Sequence, residues 1–281
     1  MIMASSLTFA VIGLLSPAAG FFLGIDAGTQ GLKALVYDTT AKSVVGLGSK
    51  AYGLTDESGS VERPGCAEQS PSVWVDALYE ACETALDQAA TLYPEVRRQV
   101  RGIAVSGQQH GLVALDADFE VIRPSKLWCD TESAAEAEEL AAQLGWGVVA
   151  AFTSTKLLWL KRNEPQSFAR LAHVALPHDY LNYVLTGDLV MECGDASGSG
   201  LLDTNTRQWD ATAAALIDDQ LLTKLPPLIG PTDLAGTLAP DAAAKLGLRE
   251  GTPVAPGSGD NMMSALGCGC AVEGRVASML R

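Results

Sequence analysis

The stretch GIDAGTQG, residues 24–31, follows Phe21, Phe22 and Leu23 and runs straight into LKALVYD, residues 32–38. Two apolar runs flank a glycine-rich turn with no helical segment between them, so 21–26 and 32–38 read as neighbouring strands of one hairpin. A dinucleotide fingerprint needs its glycines between a strand and a helix, so that a pyrophosphate meets the helix N-terminus. A Walker loop needs a Gly-Lys-Ser/Thr that does not follow here. Two readings stand on the spacing. One is a tight turn with an ordinary surface aspartate. The other is a hairpin whose backbone N–H groups and Thr29 hydroxyl face a phosphate, with Asp26 holding a magnesium ion through water.

Outward from the hairpin, VVGLGSKAY (44–52) reads as a third strand. The segment 70–93 reads as a helix, with Ser70 as its cap, Pro71 in its first turn, and Trp74, Leu78, Ala81, Ala85 and Ala89 along one face. RGIAVS (101–106) is a strand that leads into GQQHG (107–111). Two further helices end on glycine, one over 133–145 closed by Gly145 and one from Pro177 to Gly187. A small-residue loop, GDASGSG (194–200), precedes another helix near 210–218. TPVAPG (252–257) reads as a strand, followed by GSGDN (257–261) and a short helix over 262–269. No internal repeat stands out.

A chain of 281 residues makes one large domain or two modest ones, and its alternating helix and strand patterns point to an α/β body. The net charge of −14 argues against a nucleic-acid or anionic-membrane partner. Six scattered cysteines without a C-x-x-C pair argue against a disulfide framework or zinc site, and fit a reducing, cytoplasmic setting. The first 22 residues carry no charge, so they lack the basic start of a secretory signal and the arginines of a transit peptide. Pro17 interrupts their apolar run, and Asp26 arrives too soon for a membrane span. Residues 1–20 read as an extension of unknown role, with organelle targeting left open.

Two more stretches carry polar groups at strand ends. In GSGDN, Asp260 stands between a strand and a helix start, where a plain N-cap is the simplest role. Gly257 and Gly259 would allow close approach of a ligand, and Asn261 adds a donor and an acceptor. In GQQHG, Gln109 and His110 offer groups suited to a polyhydroxyl ligand. The other histidines, His173 and His178, sit in segments that read as scaffold.

Taken in order, GIDAGTQG, SGQQHG (106–111), KLWCDTE (126–132), FTSTKLLWLKRNEP (152–165), LPHDY (176–180), GDASGSGLLD (194–203) and GSGDN resemble the motifs of the FGGY carbohydrate kinases. They look most like its xylulokinase branch, and the resemblance covers about residues 22–281. It implies the actin-like ATPase (ribonuclease-H-like) α/β fold, in which sugar and MgATP meet between two lobes. It divides the chain into an extension (1–20), a sugar-binding lobe (21–250) and the beginning of a nucleotide lobe (251–281). Gly28, Thr29 and Gln30 would then form the first phosphate-binding loop, and Asp26 would organise Mg2+. By position, Asp260 matches the general base, and Asn261, Gln109 and His110 match positions that hold sugar hydroxyls. Trp128 and Asp130 fall in a segment that lines the sugar pocket. Lys156, Trp159, Asp195 and Ser197 read as scaffold, and Ala151 stands where the family usually has glycine. Glycerol kinases carry arginine and glutamate at the places of Gln109 and His110, so Gln-His favours a ketopentose.

The reaction implied is ATP-dependent phosphorylation of D-xylulose to D-xylulose 5-phosphate, with D-ribulose as the nearest rival substrate and a homodimer as one assembly. A carboxylate with an ordinary pKa of about 4 cannot deprotonate an alcohol beforehand. It can orient the hydroxyl and accept its proton as the new bond to phosphorus forms. The chain stops soon after Asp260, before the family's second glycine–threonine phosphate loop and its adenine pocket. The expectation is therefore a fragment, in which 252–281 has no partner sheet and MMSALGCGCA is exposed. A catalytically inactive one-lobe sugar-binding module is the alternative. An actin-like ATPase or chaperone lobe would share only the first loop.

Overall fold

In a computed structural model that describes residues 20–277, Phe21–Ala27 (β1) is buried along almost its whole length. A strand covered on both faces needs no polar alternation, which is why FFLGIDA shows none. On one edge β1 pairs antiparallel with Gly31–Asp38 (β2), Leu23 opposite Val36 and Ile25 opposite Ala34. β2 in turn pairs with Ser43–Ala51 (β3). The expected extension at 1–20 lies outside the described residues except for Gly20.

Parallel pairing needs a crossover, and the helix Pro71–Ala90 (α1) lies within it. The chain then returns as Val100–Gly107 (β4), parallel to β1 on its other edge. Trp74, Leu78, Ala81, Ala85 and Ala89 of α1 are all buried, as the spacing predicts. Their partner surface is the GLG of β3. A Cβ on Gly46 or Gly48 would overlap the carbonyl oxygens of Ala85 and Ala81, so helix and strand meet backbone to backbone. Ser70 occupies the N-cap position, yet its hydroxyl pairs with the Ser72 hydroxyl at 2.8 Å instead of a helix amide.

The remaining helices that matter here are Ala134–Leu144 (α2), Thr153–Asn163 (α3), Pro177–Thr186 (α4), Cys193–Ala196 (α5), Ala211–Ile217 (α6) and Pro240–Leu246 (α7). Gly145 and Gly187 end α2 and α4 in the left-handed conformation, at φ 74° and 80°. The expected loop at 194–200 is instead a helical turn, because the Glu192 side chain accepts from the amides of Gly194 and Asp195 and caps it. Leu181 and Leu185 of α4 and Leu246 of α7 join the strands and α1 in the main core. Leu140, Leu157, Leu160, Leu201 and Ile217 build a second core from α2, α3 and α6.

Three short strands complete the sheet. Gly236–Thr237 (β5) pairs with Pro253–Val254 (β6), whose Val254 pairs with Ile103 of β4; Ser258–Gly259 (β7) pairs with Ser106 and Gly107 of β4. The seven-stranded sheet runs β5-β6-β4-β1-β2-β3, with β7 also on β4. This corrects the expectation that 252–281 lacks a partner sheet: 253–259 belong to the same sheet as the hairpin, and the expected boundary at 250/251 falls beside β6. The strand expected over 252–257 is split, because Pro256 has no N–H to donate and Gly257 turns the chain at φ 66°. The helix Asp260–Gly267 (α8) follows, with Met262 about half exposed. No helix of the described residues is long and apolar enough to cross a membrane.

Candidate functional site

Three parallel strands deliver three loops to one edge of the sheet. Asp26 of β1 and Ser258 of β7 both stand opposite Ser106 of β4; in the next row Ala27 and Gly259 flank Gly107. At about 4.8 Å between neighbouring strands, Asp26 and Ser258 are about 10 Å apart. The chain therefore leaves the sheet side by side at Gly28, Gln108 and Asp260. Carboxyl ends of parallel strands are where open α/β sheets bind ligands, since the backbone there is free to shape a crevice.

The hairpin loop is tied down from several directions. Gly28 N–H donates to Gly31 O at 3.1 Å, the Tyr52 hydroxyl to Gly28 O at 2.7 Å, and Gln69 Nε2 to Thr29 O at 2.7 Å. The Thr29 hydroxyl donates to Gln108 Oε1 at 3.2 Å and accepts from Trp128 Nε1 at 2.9 Å. The hydroxyl expected to face a phosphate is thus engaged within the protein here. Asp26, Gly28, Thr29, Gln30 and Trp128 line one open cleft of about 630 Å³. Ser106 donates to one Asp26 oxygen at 3.1 Å. Burial raises the Asp26 pKa above the usual carboxylate range, and the Ser106 bond and the Lys33 charge pull it part of the way back. A single carboxylate bonded through one oxygen and bordering an open cleft fits a hard cation held through water.

Beside this loop, Gln109 and Asn261 meet: Asn261 Nδ2 donates to Gln109 Oε1 at 2.7 Å. Gln109 Nε2 donates to Asp195 Oδ1 at 3.4 Å. His110 adopts the left-handed conformation (φ 63°), its ring edge-on to Phe152 at 5.6 Å between centroids. The ring rests on Gly198, where a Cβ would overlap it. Asp260 begins α8 inside the first turn, while Gly259 takes the cap position, so a capping role does not describe it. Packing within the protein also calls for glycine at 257 and 259. A Cβ at 257 would overlap Val105 O, and one at 259 would overlap the Gln109 side chain.

Asp130 does not join the pocket-lining groups. It is fully buried, and it accepts from Lys126 Nζ at 2.9 Å and from the amides of Ala67 and Glu132 at 2.9 and 3.1 Å. Lys126 also pairs with Glu68 and Glu132, and lies 3.9 Å over the Trp159 ring. Cys66, Glu68, Asp130 and Glu132 bring donor atoms within 4.8 Å of one another, but Lys126 and Arg63 supply the positive charge of that cluster. Lys156 is buried and donates to the carbonyls of Ala150, Ala151 and Phe152, ahead of α3. Both Lys156 and Trp159 hold scaffold. Tyr52 and Gln69 shape the hairpin loop with nothing local to mark them, and Gln108 does so from within GQQHG, beside the two residues singled out there. LPHDY and GDASGSG read as scaffold in the sequence, although Asp195 accepts from Gln109 and is held from behind by His178.

Residues 21–267 match the N-terminal domain of the FGGY family of carbohydrate kinases. A xylulose kinase from Haemophilus influenzae is 40% identical over 270 residues, which cover 92% of this chain and 54% of that protein. One from Streptomyces coelicolor is 38% identical over 259 residues, covering 88% and 50%. The crystal structure of xylulose kinase from Rhodospirillum rubrum superposes with a TM-score of 0.79 at 29% identity, over 90% of this chain and 52% of that one. The chain spans about half the length of the curated relatives it matches. Its sheet, with an antiparallel hairpin continued by parallel strands that end side by side, has the actin-like ATPase fold of these enzymes, and the chain belongs to the FGGY family of carbohydrate kinases.

Proposed function

We propose that this chain is the sugar-binding lobe of an ATP-dependent ketopentose kinase, with D-xylulose as substrate and D-xylulose 5-phosphate as product. The observation that carries this reading is the side-by-side exit of Gly28, Gln108 and Asp260 from three adjacent parallel strands. In this reading the glycine hairpin, Gln109–His110 and Asp260–Asn261 share one crevice. The relatives that support the substrate are xylulose kinases.

Phosphoryl transfer asks an enzyme mainly to position groups and stabilise charge. In this reading Gln109, His110 and Asn261 hold the sugar hydroxyls, and Asp260 orients the attacking hydroxyl and accepts its proton. Gly28, Thr29 and Gln30 border the transferred phosphate, with Trp128 packed on the Thr29 hydroxyl. Magnesium, held through water by Asp26, would neutralise charge on the phosphate oxygens when bound. Residues from about 251 onward would continue into the nucleotide lobe, where the family's second phosphate loop and adenine pocket lie.

Calorimetry with D-xylulose, D-ribulose and glycerol, together with ADP release under MgATP, tests the reading. The expected result is saturable binding of a ketopentose, tightest for D-xylulose, with little turnover until the second lobe is supplied. No binding of any ketopentose would overturn it.

A further inference from the structure

LPHDY and GDASGSG together build a buried charged group directly behind Gln109. Asp195 is fully buried in α5. Its Oδ2 lies 2.6 Å from His178 Nδ1 and its Oδ1 lies 3.4 Å from Gln109 Nε2. His178, also fully buried, faces Asp179 Oδ1 at 3.2 Å with its other nitrogen. The backbone of Asp195 is gripped too: its N–H donates to Glu192 Oε2, and the same oxygen accepts from Ser258 of β7 at 2.8 Å. Elements at 178, 195, 109 and 258 are thereby locked into one unit under the strand ends.

We propose that Asp195 is a positioning residue that sets the donor–acceptor polarity of the Gln109 and Asn261 amides; this rests on the sugar-kinase reading above. An ionised carboxylate only accepts, so Gln109 must turn its nitrogen towards Asp195. Its oxygen then faces Asn261, which must answer with its own nitrogen, as it does at 2.7 Å. The Asn261 oxygen is left outside this chain of bonds and presents an acceptor to a ligand hydroxyl. Without a charge at 195, either amide can turn over with no change of shape, because nitrogen and oxygen are nearly the same size. His178 holds the other oxygen of Asp195, its Nδ1 2.6 Å from Oδ2. Burial pushes the imidazole pKa down, but Asp179, Asp195 and Glu192 around it prevail and raise it to about 9. A protonated ring can donate to Asp195 from Nδ1, while Asp179 Oδ1 lies 3.2 Å from Nε2 without a hydrogen bond.

The test uses the 281-residue chain with Asp195→Asn, Gln109→Glu and the double variant. Two measurements are made on each: 15N–1H spectra of the side-chain amides without sugar, and calorimetry with D-xylulose. Asp195→Asn should displace the Gln109 and Asn261 amide signals and weaken D-xylulose binding roughly tenfold or more, the loss expected for a charge-assisted hydrogen bond. In the double variant the amide at 195 donates to the carboxylate at 109, which still accepts from Asn261. The Asn261 signal should return to its wild-type position and most of the affinity should be recovered. Losses that simply add in the double variant, or an Asn261 signal unmoved by Asp195→Asn, overturn the proposal.

Gln109→Glu alone gives an independent reading should Asp195→Asn fail to fold. The charged groups around position 109 are Asp195, backed by His178, Asp179 and Glu192, and Asp260 beside Asn261. Two facing carboxylates share a proton at lower pH, so binding should be weak near pH 8 and recover towards pH 5. A flat profile overturns the proposal. Failure of the wild-type chain to bind any ketopentose would remove the sugar-kinase reading, while the amide spectra still decide the polarity.

Discussion

At the scale of single residues, the site separates groups that would touch a substrate from groups that hold those in place. Asp260 belongs to the first kind in the proposed function: it opens α8 in the first turn, where the helix N-terminus favours a negative charge. Removing a general base should cost rate and leave ground-state binding almost intact. In a protein carrying both lobes, Asp260→Asn should lower kcat by about 10² to 10⁴, while the D-xylulose Kd from calorimetry changes little. A variant that keeps the wild-type kcat would show that Asp260 handles no proton. Asp130 shows the opposite lesson. It lies two residues from Trp128, which does line a cleft, yet its carboxylate faces Lys126 inside the protein. Neighbours in sequence around a turn can face opposite ways, and residue type alone does not say which.

At the scale of elements, a second dense charge cluster ties the lobe together around Lys126. Lys126 and Arg63 are ringed by Glu68, Asp130 and Glu132, joining the strand pair of Glu68–Gln69 and Ser125–Lys126 to the Glu132 turn. Burial alone would raise the Glu132 pKa. The Arg63 and Lys126 bonds and charges overcome that and hold it at about 2, against the usual 4.5. A carboxylate held low in the folded state contributes stability that is fully present above the unfolded value, near 4.5, and lost as pH falls towards 2. The midpoint of urea unfolding should therefore drop steeply between pH 4.5 and pH 2. Glu132→Gln should lower it at pH 7 and flatten that acid slope. An unchanged slope would mean the cluster does not carry the acid sensitivity.

At the scale of the whole molecule, the proposed crevice depends on distant segments folded against one another. Asp195 of α5 stands behind Gln109, while Asp26, Gln109 and Asn261 come from β1, the loop after β4 and α8. A ligand bound across them should stabilise the entire fold and not one loop. At a hundred times its Kd, D-xylulose should add about 2.7 kcal/mol to the unfolding free energy. The thermal midpoint should rise accordingly, and glycerol at the same concentration should shift it far less. Equal shifts from both would argue against a site shaped for a ketopentose.

What the chain determined on its own is whatever depends on a short window. The strand–glycine–strand hairpin, the alanine stripe of α1, the glycine ends of α2 and α4 and the ordered series of motifs could all be read from consecutive residues. Periodicity and turn chemistry act over a few positions, and a family's motifs keep their order along the chain. The tertiary structure alone decided the rest. It set the register that aligns Asp26, Ser106 and Ser258 in one row, and it gave β6 and β7 a sheet to join. It turned Gly257 and Gly259 towards the protein's own β4 and Gln109, and it linked His178 to Gln109 through Asp195. Such pairings join positions tens to well over a hundred residues apart. No local preference encodes them, because they follow from which surfaces meet once the two cores have packed.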